Sequence, residues 1–181
     1  MTFTRTISSN EQLYLAGKTP FSDLVIQVAI KGKGHIDLAD LKNAITQVSY
    51  QFPGTCLKRV KNTWVSNNQP PPIVLLDESL DLTNNFNRLV NNHSTFSPKQ
   101  GHTCEVAAVL QKNNCLIVFR ALHAVMDGKG LELWAKAVFQ ALRGQKVPLA
   151  NSTLTDDIIT ANKPTRKDEP LFPNNIGPII G

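Results

Sequence analysis

His123 and Asp127 stand four residues apart in the run His123-Ala124-Val125-Met126-Asp127-Gly128. An imidazole is the side chain whose ordinary pKa lets it take and return a proton near neutral pH, so His123 is the candidate general base. It follows the most apolar run of the chain, Cys115–Leu122, and precedes an amphipathic helical pattern. The end of a rigid strand can hold such a base in one direction, and Asp127 can brace the loop that presents it. Asp127 also falls where the N-cap of the next helix belongs, with a charge that suits the helix dipole, so its role in the site is structural. Gly128 is assigned a structural role too, as a place where a side chain would crowd the turn or an approaching substrate. Lys129 and Gly130 receive no assignment.

The elements that must hold this loop can be read along the chain. Ser8 with Glu11 three residues on forms a capping box that opens a short helix over Glu11–Ala16. Leu24–Ile30 is an apolar run of strand length, and Lys31–Gly34 is its exit. Asp37 caps a helix whose Leu38, Leu41, Ile45, Val48 and Phe52 share one face, ended by Pro53-Gly54. Thr55–Val65 predicts one strand and Ile73–Leu76 another, separated by a segment with three prolines that lacks the N–H donors of a central strand. Leu82–Val90 is weakly helical. Thr103–Leu110 and Cys115–Leu122 predict a hairpin that turns at Asn113-Asn114, since Asn tolerates positive φ. The last helix carries Leu131, Trp134, Ala135, Val138 and Leu142 on one face and ends at Gly144. The division expected is a lobe over 1–145 and a linker over 146–181, with one helical turn near Asp156–Ala161.

Composition bounds the function. A chain of 181 residues with 41% hydrophobic content can bury one core but has little room for two domains. No segment has the length of a membrane span, and Met1–Thr6 is not followed by the apolar stretch of a signal peptide, so a cytoplasmic protein is expected. Three cysteines without a C-x-x-C pair argue against a disulfide framework or structural zinc, and no metal is expected. The net charge of +5 is scattered, with no basic helix face or alternation of basic and aromatic residues, so nucleic acid is not an expected partner.

The H-x-x-x-D-G run resembles the active-site signature of the chloramphenicol-acetyltransferase-like superfamily. That superfamily includes peptide-synthetase condensation domains, plant CoA-dependent acyltransferases and polyketide-associated acyltransferases. The strand, the short loop into "HIDLADLKNAI" and the helix ending in "QFPG" resemble its opening, so the likeness covers about Ser8 to Gly144. The resemblance implies an α/β fold, the N-terminal lobe with a mixed β-sheet packed by helices. It implies His123 as the base that deprotonates an alcohol, amine or thiol acceptor attacking an acyl thioester, with Asp127 holding the loop. The donor would be acyl-CoA or an acyl-phosphopantetheine thioester on an acyl carrier protein, used as substrate, with no permanently bound cofactor.

Three departures accompany the likeness. Leu122 stands where many members have a second His, and Cys56 where condensation-type members place an Arg that pairs with the Asp; Lys58 and Arg59 are the nearest candidates for that cation. Members are usually about twice as long, with two lobes, and their D-F-G-W-G sequence is absent, which implies a fragment or a split subunit. Such a lobe alone is expected to be nearly inactive and to leave an apolar wall for a companion C-terminal lobe or for self-association. A non-catalytic lobe that binds a partner is one alternative. Another is a Cys/His hydrolase, since a turn at Asn113-Asn114 would set Cys104 opposite His123. A metal site from His102, Cys104, His123 and Asp127 has the least support, lacking the usual ligand spacing.

Overall fold

Strands β6 (Cys104–Leu110) and β7 (Asn114–Leu122) form the antiparallel hairpin at the centre of the protein, and every residue of β6 is buried. A strand covered on both faces reads as a continuous apolar run, which is how both appear in the sequence. A computed structural model of the chain describes residues 3–17, 24–77, 96–147 and 149. The remaining elements are β1 (Thr4–Thr6), α1 (Ser9–Ala16), β2 (Val25–Lys33), α2 (Leu38–Gln51), a 3₁₀ turn (Pro53–Cys56), β3 (Leu57–Val60), β4 (Thr63–Ser66), β5 (Ile73–Leu75) and α3 (Gly128–Leu142).

Four strands make the larger sheet in the order β2-β7-β6-β5, antiparallel except for the parallel β5/β6 pair. The three segments expected to share a sheet, from Leu24, Thr103 and Cys115, therefore do so. On one face of the hairpin, Val106, Ile117 and Phe119 join the main core with Leu41, Ile45 and Val48 of α2 and Leu131, Trp134 and Val138 of α3. Phe119 meets Trp134 edge to face, their ring centroids 5.1 Å apart, a favoured aromatic geometry. The other face gathers Ala107, Val109, Leu116 and Val118 in a separate cluster. Helix α3 packs on β2, β7 and α2. A second, three-stranded sheet, β1-β4-β3, is antiparallel throughout.

The local signals behave as expected at the caps. Ser8 and Glu11 form both bonds of the capping box, and Asp37 accepts from the N–H groups of Ala39 and Asp40. Past α3, Gly144 has φ +67. Its N–H donates to Ala141 O and that of Gln145 to Gln140 O, the two bonds of a Schellman motif.

Four expectations need correction. Strand β2 continues through Lys33, because Lys31, Gly32 and Lys33 keep pairing with Leu116, Cys115 and Asn114, and the chain turns only at Gly34, with φ +108. The single strand over Thr55–Val65 is a 3₁₀ turn followed by a hairpin, in which Val60 pairs with Thr63 across Lys61-Asn62 and Lys61 takes φ +55. The central hairpin turns at Lys112-Asn113, one residue earlier than expected, because Asn114 is drawn into the ladder with Lys33. Val147, assigned to the linker, is buried in the core. The helical expectations over 82–90 and 156–161 lie outside the described residues, as does most of the linker.

Candidate active site

The loop that follows β7 is fixed by main-chain bonds before any side chain acts. His123 N–H donates to Leu24 O at 2.8 Å, tying the end of β7 to the start of β2, and Val125 N–H donates to Leu122 O at 2.9 Å. His123 thus sits just past the end of the central ladder, half-buried, in a cleft of about 630 Å³. Its ring lies flat on Tyr14 of α1, centroids 4.3 Å apart and planes 10° apart. Nδ1 is buried and, among the described residues, has no hydrogen-bond partner, which leaves Nε2 as the nitrogen able to meet a substrate.

Asp127 is the N-cap of α3, and its Oδ1 accepts from Gly130 N–H at 2.6 Å. The carboxylate therefore holds the loop against the helix, and it also lines the cleft. Asp127→Ala is expected to lower stability by about 1 kcal/mol through the lost cap, measured by thermal or denaturant unfolding. The glycine assignment shifts by two residues. A side chain at Gly128 would meet nothing, and Gly128 does not line the cleft. A Cβ at Gly130 would come within 2.9 Å of Met126 Cγ and 3.2 Å of Asp127 Oδ1. Gly130→Ala should therefore cost about 1–3 kcal/mol by overpacking the loop. Gly128→Ala should stay within about 1 kcal/mol of the parent, since alanine is the better helix former, and parallel denaturation curves distinguish the two. Lys129 is exposed and pairs with Glu132 at 2.9 Å.

Sequence reading missed the opposite wall of the cleft. Tyr14, Ser8, Glu11 and Arg5 line it together with Phe3 and Phe52. Arg5 Nη1 donates to Glu11 Oε2 at 2.8 Å and Nη2 donates to Oε1, while Glu11 Oε2 also accepts from Ser8 N–H at 2.8 Å. This pair locks the first turn of α1 to β1 and consumes the charge of both partners inside the cleft. The capping box was visible in the sequence; that it borders His123 was not, because it takes the stack of Tyr14 of α1 on the His123 ring to bring them together.

The cation expected beside Asp127 is not supplied by either nearby candidate. Neither Lys58 nor Arg59 lines the cleft, and Arg59 Nε donates to Lys61 O. Cys56, at the matching position, is buried in the 3₁₀ turn, and burial pushes its thiol above the ordinary value against hydrogen bonds from Thr55 and Ser49.

The hairpin register removes the pairing on which the hydrolase reading rested. Cys104 faces Ala121, not His123. It is 1% exposed, and burial, with Cys56 adding to the effect, raises its thiol far above the ordinary value, so it offers no thiolate at neutral pH. Among the described residues no three His, Cys, Asp or Glu side chains converge on a point that could hold a metal ion. A second cavity of about 360 Å³, lined by Thr46, Ser49 and Tyr50 among others, shares only Phe3 with the cleft and contains no imidazole or carboxylate. The cleft with His123 carries that imidazole together with the carboxylates of Glu11 and Asp127 on its lining, so proton transfer chemistry is available there. Among the described residues no helix is long and apolar enough to cross a membrane.

No protein-family model matches this sequence, and neither does any curated protein. Solved structures do match. The tallysomycin biosynthesis protein TlmII is similar with a TM-score of 0.65 at 19% identity over 78% of this chain and 39% of that one. The starter condensation domain of the rhizomide synthetase RzmA gives 0.62 at 18% over 81% and 40%. The cyclization-docking bidomain of EpoB from Sorangium cellulosum gives 0.62 at 17% over 87% and 34%. This chain thus spans about two fifths or less of the length of these structures. These likenesses mean that the chain has the fold of the N-terminal lobe of condensation domains and chloramphenicol-acetyltransferase-like proteins.

Proposed function

We propose that this chain is the N-terminal lobe of an acyltransferase that moves an acyl group from a CoA or carrier-protein thioester to an alcohol or amine, with His123 as general base. The observation that carries the reading is the placement of His123. It is held by the backbone at the end of β7, faces a cleft, and its Nδ1 is buried so that Nε2 remains for substrate. The fold likeness supports the reaction class, and one structure of this fold, a TRI101 protein from F. sporotrichioides, is described in complex with coenzyme A and T-2.

In the proposed step Nε2 takes the proton of the acceptor O–H or N–H as that heteroatom attacks the thioester carbonyl. The tetrahedral intermediate then collapses, the C–S bond breaks, and the imidazolium returns its proton to the departing sulfur. The products are an ester or amide and a free thiol. Asp127 takes no proton in this scheme; it holds the loop through Gly130. A companion C-terminal lobe would supply the facing wall, with Leu133, 44% exposed on the rim of the cleft, among the groups it would cover. The test is thioester-dependent acyl transfer by the wild type and His123→Ala with the companion lobe present: a large loss supports the base, and undiminished transfer overturns it.

A non-catalytic lobe that binds a partner is the second reading, favoured by Leu133, 44% exposed on the rim of the cleft where a partner would cover it. The same assay decides between them, since that reading expects no transfer in the assembled wild type.

A further inference from the structure

The His123 ring lacks the support that usually orients a catalytic imidazole. The nitrogen turned away from substrate ordinarily makes a hydrogen bond that sets tautomer and ring plane together. Among the described residues nothing bonds the buried Nδ1. Main-chain bonds hold the backbone of His123, yet rotation of the ring about its last torsion has only a broad, roughly two-fold preference of its own. A group that restricts it is the Tyr14 ring, stacked on the imidazole with planes 10° apart.

Tyr14 is in turn placed by α1, and the first turn of α1 is pinned from two sides. The Ser8–Glu11 box closes it, and Arg5 of β1 grips the same Glu11 carboxylate. A chain of contacts therefore runs from β1 through Glu11 and α1 to the face of the base. Among the described residues no hydrogen bond reaches the Tyr14 hydroxyl, so what the residue contributes to the packing here is its ring.

We propose that Tyr14 is a positioning residue for the proposed acyl transfer: its ring, not its hydroxyl, fixes the plane of the His123 imidazole and so aims Nε2 at the acceptor. The inference rests on His123 acting as the base, and it adds a second element, α1, to the machinery that the base requires.

The test compares Tyr14→Phe with Tyr14→Leu and Tyr14→Met, which remove the ring while filling part of its volume, beside His123→Ala. With the companion lobe present, Tyr14→Phe should keep kcat within about 2-fold, while the Leu and Met variants should lose about 10²-fold in kcat with KM within about 3-fold, as for misplacement of a bound reactive group. On the 181-residue chain, NMR should show the His123 ring protons shifted upfield by the stacked ring in the wild type and in Tyr14→Phe, and returned to ordinary positions in the Leu and Met variants. Wild-type kcat in both Leu and Met variants, a Phe variant as impaired as they are, or unshifted ring protons in the wild type would each overturn the proposal. An inactive His123→Ala beside undiminished Tyr14→Leu and Tyr14→Met removes only this inference; a fully active His123→Ala removes the base and this inference with it.

Discussion

His123→Ala, assayed with the companion lobe present, is expected to lower single-turnover acyl transfer by about 10²- to 10⁴-fold, the usual range for a lost general base. The loss should appear in kcat and kcat/KM alike, since proton removal is needed only as the acceptor attacks. Folding should survive, because the contact that ties this residue to the sheet, its N–H to Leu24 O, is made by the main chain and remains in the variant. What the variant gives up structurally is the stack on Tyr14, and an aromatic pair of this kind contributes only about 0.5–1.5 kcal/mol. The measurements are product formation under single-turnover conditions, with a thioester donor and a panel of alcohols and amines, beside thermal unfolding. Full activity in a folded variant would end the assignment.

Arg120→Ala is expected to have the largest effect on stability. Arg120 and Glu105 face each other across β7 and β6, with Arg120 Nη1 donating to Glu105 Oε1 at 2.9 Å, and their side chains are 3% and 0% exposed. Burying a charge pair is costly and its net contribution is small, but removing one partner leaves the other charge without compensation. His102 Nε2 lies 3.5 Å from Glu105 Oε2, too far for a good hydrogen bond, and does not replace the guanidinium. The expected loss is about 3–5 kcal/mol, readable as a drop in the denaturation midpoint at unchanged slope. Arg120→Met combined with Glu105→Leu should recover most of it, because well-packed apolar side chains can replace a buried pair at little cost. A single Arg120→Ala variant as stable as the wild type would show that the pair is solvated in solution.

The same pair shows where sequence reading stopped. Cys115–Leu122 and Thr103–Leu110 were recognisable as strands from their apolar content, and each contains one charged residue that such a strand would not carry alone. Matching Glu105 with Arg120 needs the hairpin register, and the register turned on whether Asn114 belongs to the turn or to the ladder. A slip of one residue at that turn moved Cys104 from His123 to Ala121 and with it removed an entire reaction class. Gly130 was passed over for the related reason that its crowding comes from the folded path of Met126 and Asp127, while Gly128, beside the Asp in the H-x-x-x-D-G run, has open space around it.

By itself the sequence determined most of the elements and the candidate for the base. Capping residues at Ser8, Asp37 and Asp127, the faces of α2 and α3, and the apolar strands are all set by interactions within a few residues, so each can be read in place. His123 was visible because the end of a buried strand and the cap of the next helix bracket it within one short run. Only the tertiary structure decided what surrounds it. The stack on Tyr14, the Arg5–Glu11 pair along the cleft, the separation of Cys104 from His123 and the absence of Lys58 and Arg59 from Asp127's side arise where distant segments meet. Such meetings depend on strand register and on the seat of α1 beside the sheet, and a composition or a local period carries no information about either.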